Sequence, residues 1–203
     1  MSEIKYTYFD AKAAGEAIRL LMKYGCIDFI DNRISFEDWP KVKSTMPYRQ
    51  VPILEIDGKM AHQSTAIARY FAKRVKLVGN NAWEDMEIDA VVDTINDFTS
   101  KIQACFYEQD AAVKESRKGP LFEDTIPFYI GKFEELAKNN NGYLALGKLT
   151  WADFCFVGIV DYLNKLTETN LIADCPNLKK VIENVTSIPS IKAWTIVRPK
   201  TDL

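Results

Sequence analysis

Residues 50–70 read QVPILEIDGKMAHQSTAIARY, and this stretch decides the fold of the chain. The apolar run Ile53–Ile56 follows a proline and is typical of a short strand. Asp57-Gly58 predicts a hairpin turn to a second strand over residues 59–61, and a helical pattern begins at Ser64. The segment offers open backbone groups before the strand and free N–H groups at the helix N-terminus. It therefore suits an extended peptide ligand that carries carboxylates.

The composition is that of a globular protein. The chain has 203 residues, of which 47% are hydrophobic and 27% charged, enough for one large domain or two small ones. No apolar run approaches the roughly 20 residues that span a bilayer, and the N-terminal stretch lacks a signal-peptide core, so we expect no membrane segment. The cysteines lack CxxC spacing, which argues against a disulfide framework or zinc site and favours a cytoplasmic location. They are Cys26, Cys105, Cys155 and Cys175.

Charge is divided unevenly along the chain. Residues 1–78 hold 13 Lys and Arg against 9 Asp and Glu, and residues 79–203 hold 13 against 19, giving net charges of +4 and −6. No run or stripe of positive charge appears, which argues against a nucleic-acid partner. The split indicates two halves that attract one another, either within the chain or between subunits.

The pattern of elements changes near residue 79. The earlier residues have the order β-α-β-α-β-β-α, which predicts an α/β thioredoxin-like domain over residues 1–78, with its first helix closed by Gly25. Only helical patterns follow, so we expect an all-α domain over residues 82–203. Thr150 and Asp153 predict a capping box at one helix start. The expected strands are 3–9, 29–34, 53–56 and 59–61, and the expected helices are 13–24, 64–75, 83–107, 121–138, 151–165, 177–183 and 191–197.

Tyr8 is the first candidate for chemistry. Thioredoxin-like domains that exchange disulfides carry CxxC after the first strand, but this chain has Tyr8 there and no cysteine before Cys26. A tyrosine hydroxyl has a pKa of ~10 and can donate to a thiolate, and a free thiol of pKa ~8.5 needs such help at neutral pH. The alternative is that Tyr8 is an ordinary buried aromatic of the strand.

Motifs in both halves, up to the closing stretch 198–203, resemble a sigma-class glutathione transferase, and insect members most closely. The resemblance implies a cytosolic homodimer that uses glutathione as cosubstrate, needs no metal and attacks hydrophobic electrophiles or lipid peroxides. The motifs are Tyr8-Phe9, Asp38-Trp39-Pro40, Lys43-Ser-Thr-Met-Pro47, Val51-Pro52-Ile-Leu-Glu, Asp57-Gly58, Gln63-Ser64, Val92-Asp-Thr-Ile-Asn-Asp-Phe98 and Leu149-Thr-Trp-Ala-Asp-Phe154.

The resemblance also implies roles in glutathione binding. Val51, before a cis Pro52, would pair its backbone with the cysteinyl part, and Gln63 and Ser64 would bind the γ-glutamyl carboxylate. Trp39 and Lys43 would hold the glycyl end, although they could equally be a packed loop aromatic and a surface charge. Gln50 stands where many relatives have lysine, which would weaken one electrostatic contact.

Four aspartates recur at intervals of four residues on one predicted helix, at Asp85, Asp89, Asp93 and Asp97. Like charges at this spacing are mildly destabilising. One interpretation is a solvated face, and the other is a face that meets the positive half of a partner subunit. The resemblance implies that Asp97 reaches the glutathione ammonium group across that interface.

A second substrate pocket is expected between the halves. Its candidate lining is Phe9, Ala13, Ala14, Phe98 and Tyr107, which could equally be core residues.

Departures from the family bear on the substrate. Ala14 replaces an arginine found near the thiolate in some members, and Asn96 and Ala104 replace residues of the metal-stimulated prostaglandin D synthase. His62, the sole histidine, lacks companions for a metal site. A prostaglandin-type isomerase remains one alternative. A crystallin or hydrophobic-ligand carrier is another, disfavoured by the short link between Tyr107 and Leu121.

Overall fold

A four-stranded sheet forms the first half of the computed structural model, which describes residues 3–201; Met1, Ser2, Asp202 and Leu203, the last two from the closing stretch, lie outside it. The elements are β1 (Ile4–Phe9), α1 (Ala13–Tyr24), β2 (Ile30–Ile34), α2 (Trp39–Val42), 3₁₀ turns Lys43–Thr45 and Pro47–Arg49, β3 (Ile53–Ile56), β4 (Lys59–His62) and α3 (Ser64–Arg74). The strand order is β2-β1-β3-β4, with β1 parallel to β2 and antiparallel to β3. The thioredoxin-like prediction is confirmed.

The sheet is assembled as the opening stretch of sequence predicts. β3 pairs with β4 in antiparallel register, Ile53 opposite His62, through a turn in which Asp57 and Gly58 have φ of 49° and 79°. Positive φ at both central residues matches the right-handed twist of the paired strands. Tyr6 lies opposite Leu54 on β3, and both are buried in the core.

The second half is helical in the described residues, as predicted, and none of its helices within residues 3–201 is long and apolar enough to cross a bilayer. The domain boundary near residue 79 stays a prediction. The helices are α4 (Ala82–Phe106), α5 (Ala111–Pro120), α6 (Ile126–Asn139), α7 (Trp151–Thr167), α8 (Pro176–Thr186) and α9 (Pro189–Val197), and a π-helical turn, Leu121–Thr125, joins α5 to α6.

The sequence reading missed α5, which it treated as part of a link. Asp110 caps this helix by accepting hydrogen bonds from the N–H groups of Ala112 and Val113. The sequence pattern did not indicate α5 because it contains Gly119 and Pro120. Glycine lowers helix propensity, and proline lacks the N–H that continues the helical hydrogen bonds. The π-helical turn accommodates the proline, so the chain passes from α5 into α6 without a loop.

Gly25 closes α1 as expected, but it is the next residue that takes the left-handed conformation. Gly25 ends α1 with φ −80°, and the left-handed residue is Cys26, with φ 49°. Glycine is required at position 25 for space, because a Cβ there would lie 2.4 Å from Val75 Cγ1.

The two halves share one buried core and meet mainly where α1 packs on α7. Gly158 permits this contact, since a Cβ there would lie 2.6 Å from the backbone nitrogen of Ala17. The Trp151 N–H donates to the Leu77 carbonyl at 3.1 Å. The close packing holds the start of α1, and with it the end of β1, against the helical half.

The predicted capping box at α7 is confirmed. Asp153 is fully buried and accepts hydrogen bonds from the backbone N–H groups of Leu144 at 2.7 Å and Thr150 at 2.8 Å. Burial raises the pKa of Asp153 to about 6, although the N–H donors act in the opposite direction. The carboxylate is thus mostly ionised at neutral pH and ties the 143–150 loop to the helix.

Asp153→Ala should lower the free energy of unfolding by about 2–4 kcal/mol, because it leaves two buried N–H groups unpaired. Asp110→Ala is the matched control, since it also removes an N-cap carboxylate but at an exposed site, where the cost is about 1 kcal/mol. Urea unfolding of both variants measures the difference. Equal destabilisation would contradict the role assigned to burial at Asp153.

Candidate active site

Tyr8 stands at the carboxyl end of β1, with its ring buried against the start of α1. A Cβ at Gly15 would lie 2.2 Å from Tyr8 Cδ1, so only glycine admits the ring. The Tyr6 ring stacks beside the Tyr8 ring, with centroids 6.4 Å apart, and the Arg19 guanidinium lies 5.7 Å from the centroid of the Tyr8 ring. The ring position is therefore fixed from several sides.

The environment of Tyr8 keeps its hydroxyl protonated. Burial raises the pKa of Tyr8 to about 12, against opposing effects from the Arg19 charge and a hydrogen bond from the Ala14 backbone. At neutral pH the hydroxyl is thus a hydrogen-bond donor and not a base. Tyr8 is a buried strand aromatic, and it also presents a proton beside Ala14, so the two sequence interpretations are compatible.

A small cleft of about 80 Å³ adjoins Ala14. Val51, one of its lining residues, is joined to Pro52 by a cis peptide bond, as the family resemblance implies. The backbone N–H and C=O of Val51 make no hydrogen bond with any residue in 3–201 and are available to an extended peptide. The cleft is lined by Ala14, Pro47, Gln50, Val51, Pro52, His62, Gln63 and Ser64.

The N-terminus of α3 forms one end of this cleft. Gln63 precedes the helix with φ 74°, a left-handed conformation that is strained for a residue with a side chain, and no side chain caps the helix. Within the described chain, the N–H groups of Ser64, Thr65 and Ala66 have no acceptor. Free N–H groups and the helix dipole together favour a carboxylate at this end.

A group of aromatic rings packs around Phe9, next to Tyr8. Phe9 contacts Tyr8, Phe36 and Trp39, with the Trp39 ring centroid 5.0 Å away. Lys43 follows Trp39 in a 3₁₀ turn, is exposed and makes no ion pair within residues 3–201. Trp39 therefore lies near Tyr8 through Phe9, and neither Trp39 nor Lys43 lines the small cleft.

A pair of tyrosines lies at the junction with the helical half. The Tyr107 and Tyr162 hydroxyls are 2.6 Å apart, and Gln103 Nε2 donates to Tyr162 at 3.1 Å. Tyr8 raises the pKa of Tyr162 and Tyr107 raises that of Tyr8, although burial dominates in both cases, so the three phenols share one region. The sequence reading missed Tyr162 and Gln103. A polar tyrosine within the apolar pattern of α7 was the available signal.

The structure places Phe98 in the core and not in the expected substrate pocket. It is 1% exposed and stacks on Tyr129 within the core of the helical half, with Phe133 at its edge. Ala13 and Ala14 do lie between the halves, where they line a cavity of about 60 Å³. Tyr107 is 54% exposed and remains a candidate for the pocket.

The aspartate row on α4 divides into two pairs. Asp85 accepts from the Gly79 N–H at 2.9 Å and Asp89 binds Arg69 at 3.1 Å, so these two serve the chain itself. Asp93 and Asp97 are exposed and make no hydrogen bond or ion pair within residues 3–201. Only the second pair remains free to meet a partner.

Comparisons with known proteins point to one family. Family models described as "Glutathione S-transferase, N-terminal domain" and "Glutathione S-transferase, C-terminal domain" match residues 4–73 and 96–196. A glutathione S-transferase of Anopheles gambiae is 49% identical over 203 residues, covering 100% of both chains. The structure of prostaglandin synthase D of Nilaparvata lugens has 45% identity and a TM-score of 0.93, covering 98% of this chain and 100% of that one. Monomeric Na-GST-3, a glutathione S-transferase of Necator americanus, has 31% identity and a TM-score of 0.83, covering 99% and 100%.

Gly15→Ala should lower the free energy of unfolding by about 1–3 kcal/mol, because the added methyl group must displace the Tyr8 ring or the start of α1. Gly119→Ala is the control: it lies in α5, and beyond its immediate neighbours and its own helix backbone the added Cβ would meet no atom within 4 Å. It should stabilise the chain by up to about 1 kcal/mol. Urea unfolding of both variants measures the two changes in the free energy of unfolding. A Gly15→Ala protein as stable as the wild type would show that this contact does not fix the Tyr8 ring.

Proposed function

Since the chain belongs to the glutathione S-transferase family, we propose that it is a sigma-class enzyme of the cytoplasm that activates glutathione through Tyr8. One observation carries the proposal: the buried, protonated Tyr8 hydroxyl lies beside a cleft with open backbone groups and free helix N–H groups. Such a cleft matches an extended peptide with carboxylates, and such a hydroxyl matches a thiolate.

The proposed binding mode follows the cleft from end to end. The cysteinyl part pairs with the free backbone of Val51, and its sulfur lies toward Tyr8. The γ-glutamyl carboxylate binds the N–H groups that begin α3, together with Gln63 and Ser64. Trp39 and Lys43 hold the glycyl end, where Lys43 serves as a point charge for the second carboxylate, and Gln50 contributes an uncharged contact.

The chemistry belongs mainly to the cosubstrate. Tyr8 donates a hydrogen bond to the sulfur, which favours the thiolate after its proton leaves to solvent, and each pKa unit corresponds to about 1.4 kcal/mol. The thiolate attacks an electrophilic carbon, forming a C–S bond as a leaving group departs or as charge moves onto a conjugated oxygen. The protein supplies position and charge stabilisation.

The second substrate is proposed to lie between the halves, against Phe9, Ala13, Ala14 and the exposed ring of Tyr107. These groups are apolar apart from the Tyr107 hydroxyl, which suits hydrophobic electrophiles such as unsaturated aldehydes or lipid hydroperoxides. A screen across such compounds and aromatic halides would rank them. Glutathione binding without turnover on the whole panel would favour a crystallin or carrier role.

A prostaglandin isomerase is the second candidate, because a structure 45% identical to this chain is named prostaglandin synthase D. Isomerisation would use the same thiolate, with glutathione regenerated and an endoperoxide as substrate. Ala104 and Asn96, which replace residues of the vertebrate enzyme, disfavour it. Product analysis after incubation with a prostaglandin endoperoxide separates the two candidates.

We further propose a homodimer in which α4 faces the partner's N-terminal half. Asp93 and Asp97 project from α4 without partners among residues 3–201, and the halves carry net charges of opposite sign. Asp97 of one subunit would then bind the glutathione ammonium group held by the other. A monomer at micromolar concentration and low salt, the state named for the hookworm relative, would contradict this assembly.

Tyr8→Phe tests thiol activation. It should lower kcat by about tenfold or more, since it removes a donor worth at least ~1.4 kcal/mol to the thiolate, and the glutathione affinity should change little. Steady-state kinetics at neutral pH with an aromatic halide measure both. An unchanged kcat would reject the role of Tyr8.

Asp97→Asn tests the contribution of the partner subunit. It should raise the KM for glutathione about tenfold, the cost of one charge-assisted hydrogen bond, while the protein stays dimeric. Asp93→Asn is the matched control, one turn earlier on the same helix, and should leave this KM unchanged. Equal effects of the two substitutions would indicate a general charge effect and not a contact by Asp97.

A further inference from the structure

A buried charged cluster joins α1 to the C-terminal helix α9. Glu16 is 2% exposed, and its Oε1 accepts hydrogen bonds from Trp194 Nε1 at 3.0 Å and Arg198 Nη1 at 2.7 Å. Its Oε2 accepts from Nη1 of Arg19 at 3.4 Å. One carboxylate therefore links a cation on its own helix to two donors at the end of α9.

Arg19 connects this carboxylate to the segment that follows Tyr8. Its guanidinium is fully buried, and it donates to the carbonyls of Ala11 at 2.6 Å and Phe9 at 3.2 Å. Its Nε binds Asp31 on β2 at 3.0 Å. Because residues 9–11 lead directly from Tyr8 into α1, the guanidinium fixes the backbone on the C-terminal side of the catalytic candidate.

The end of α9 depends on few contacts. Ile191 is fully buried near its start, but Ile196 and Val197 are 75% and 73% exposed. Trp194 and Arg198, through Glu16, therefore supply much of the attachment of the last turn. Lys23 adds a cation–π contact, with its Nζ 5.0 Å from the Trp194 ring.

The attachment of α9 and the position of Arg19 stabilise one another. If α9 moved away, Glu16 would keep its buried charge but lose two donors, a costly state that draws in water or moves the carboxylate. Arg19 would then lose or shift one of its partners, and the carbonyls of Phe9 and Ala11 depend on the same guanidinium. Displacement of α9 is thereby transmitted to the Tyr8 segment.

We propose that Glu16 and Arg19 are positioning residues, through which the docking of α9 sets the place of the Tyr8 hydroxyl and tunes thiol activation. This inference rests on the proposed function, because it requires Tyr8 to act on glutathione. Neither residue touches the cosubstrate; they act through the backbone of residues 9–11. The C-terminal helix thus modulates a site in the other half of the chain.

Arg198→Ala is the primary test. The pH midpoint for ionisation of the bound glutathione thiol, followed by thiolate ultraviolet absorbance, should rise, and kcat should fall about fivefold. The KM for glutathione should stay within about twofold, since the binding groups are untouched. Lys192→Ala is the matched control: it removes an exposed cation from the same helix that forms no ion pair within residues 3–201, and it should match the wild type.

Three further variants separate the possible outcomes. Trp194→Phe retains an aromatic ring but removes the N–H donor, and it should shift the thiol midpoint in the same direction. Arg198→Lys should restore part of the loss. In a Tyr8→Phe background, Arg198→Ala should have no further effect on the midpoint. An additional effect there, or an unchanged midpoint in both α9 variants, would overturn the inference. An unaffected Tyr8→Phe enzyme would instead overturn the proposed function.

Discussion

The burial of the Arg19 charge constrains the arrangement of the whole candidate active-site region. A guanidinium removed from water is tolerated only when its donors are satisfied, and here they meet two carbonyls and two carboxylates. The carbonyls belong to the segment after Tyr8, one carboxylate belongs to β2, and the other binds α9. One buried charge thereby holds β2, α1 and α9 in place relative to one another. The Tyr8 ring packs against the guanidinium of Arg19.

The site assembled around this charge is built of donors. The Tyr8 hydroxyl stays protonated because burial raises its pKa to about 12, and the α3 N-terminus and the Val51 backbone offer groups without partners in the described chain. An anionic, extended cosubstrate complements such a site. Under the proposed function, the protein stabilises charge on a nucleophile that glutathione supplies, and the apolar surface between the halves selects the second substrate.

The sequence predicts the elements whose signals are local. The hairpin at Asp57-Gly58, the strands around it and the helical second half follow from turn chemistry and periodicity. The prediction fails where a tertiary contact decides: Pro120 masked a helix that a π-helical turn continues, and Phe98 packs into an aromatic core and not toward a pocket. The sequence pattern did not predict the roles of Tyr162 and Arg19, because these roles depend on contacts with residues distant in sequence. Hydrophobic periodicity carries no information about such contacts.

The ionisation of bound glutathione tests the central claim most directly. Titration of the thiolate absorbance should give the wild-type complex a midpoint clearly below the value of ~8.5 for a free thiol, and the Tyr8→Phe complex a midpoint returned toward it. Such a pair of values would show that the buried hydroxyl stabilises the thiolate. Equal midpoints in the two complexes would contradict the account, whatever the turnover rates of the two proteins.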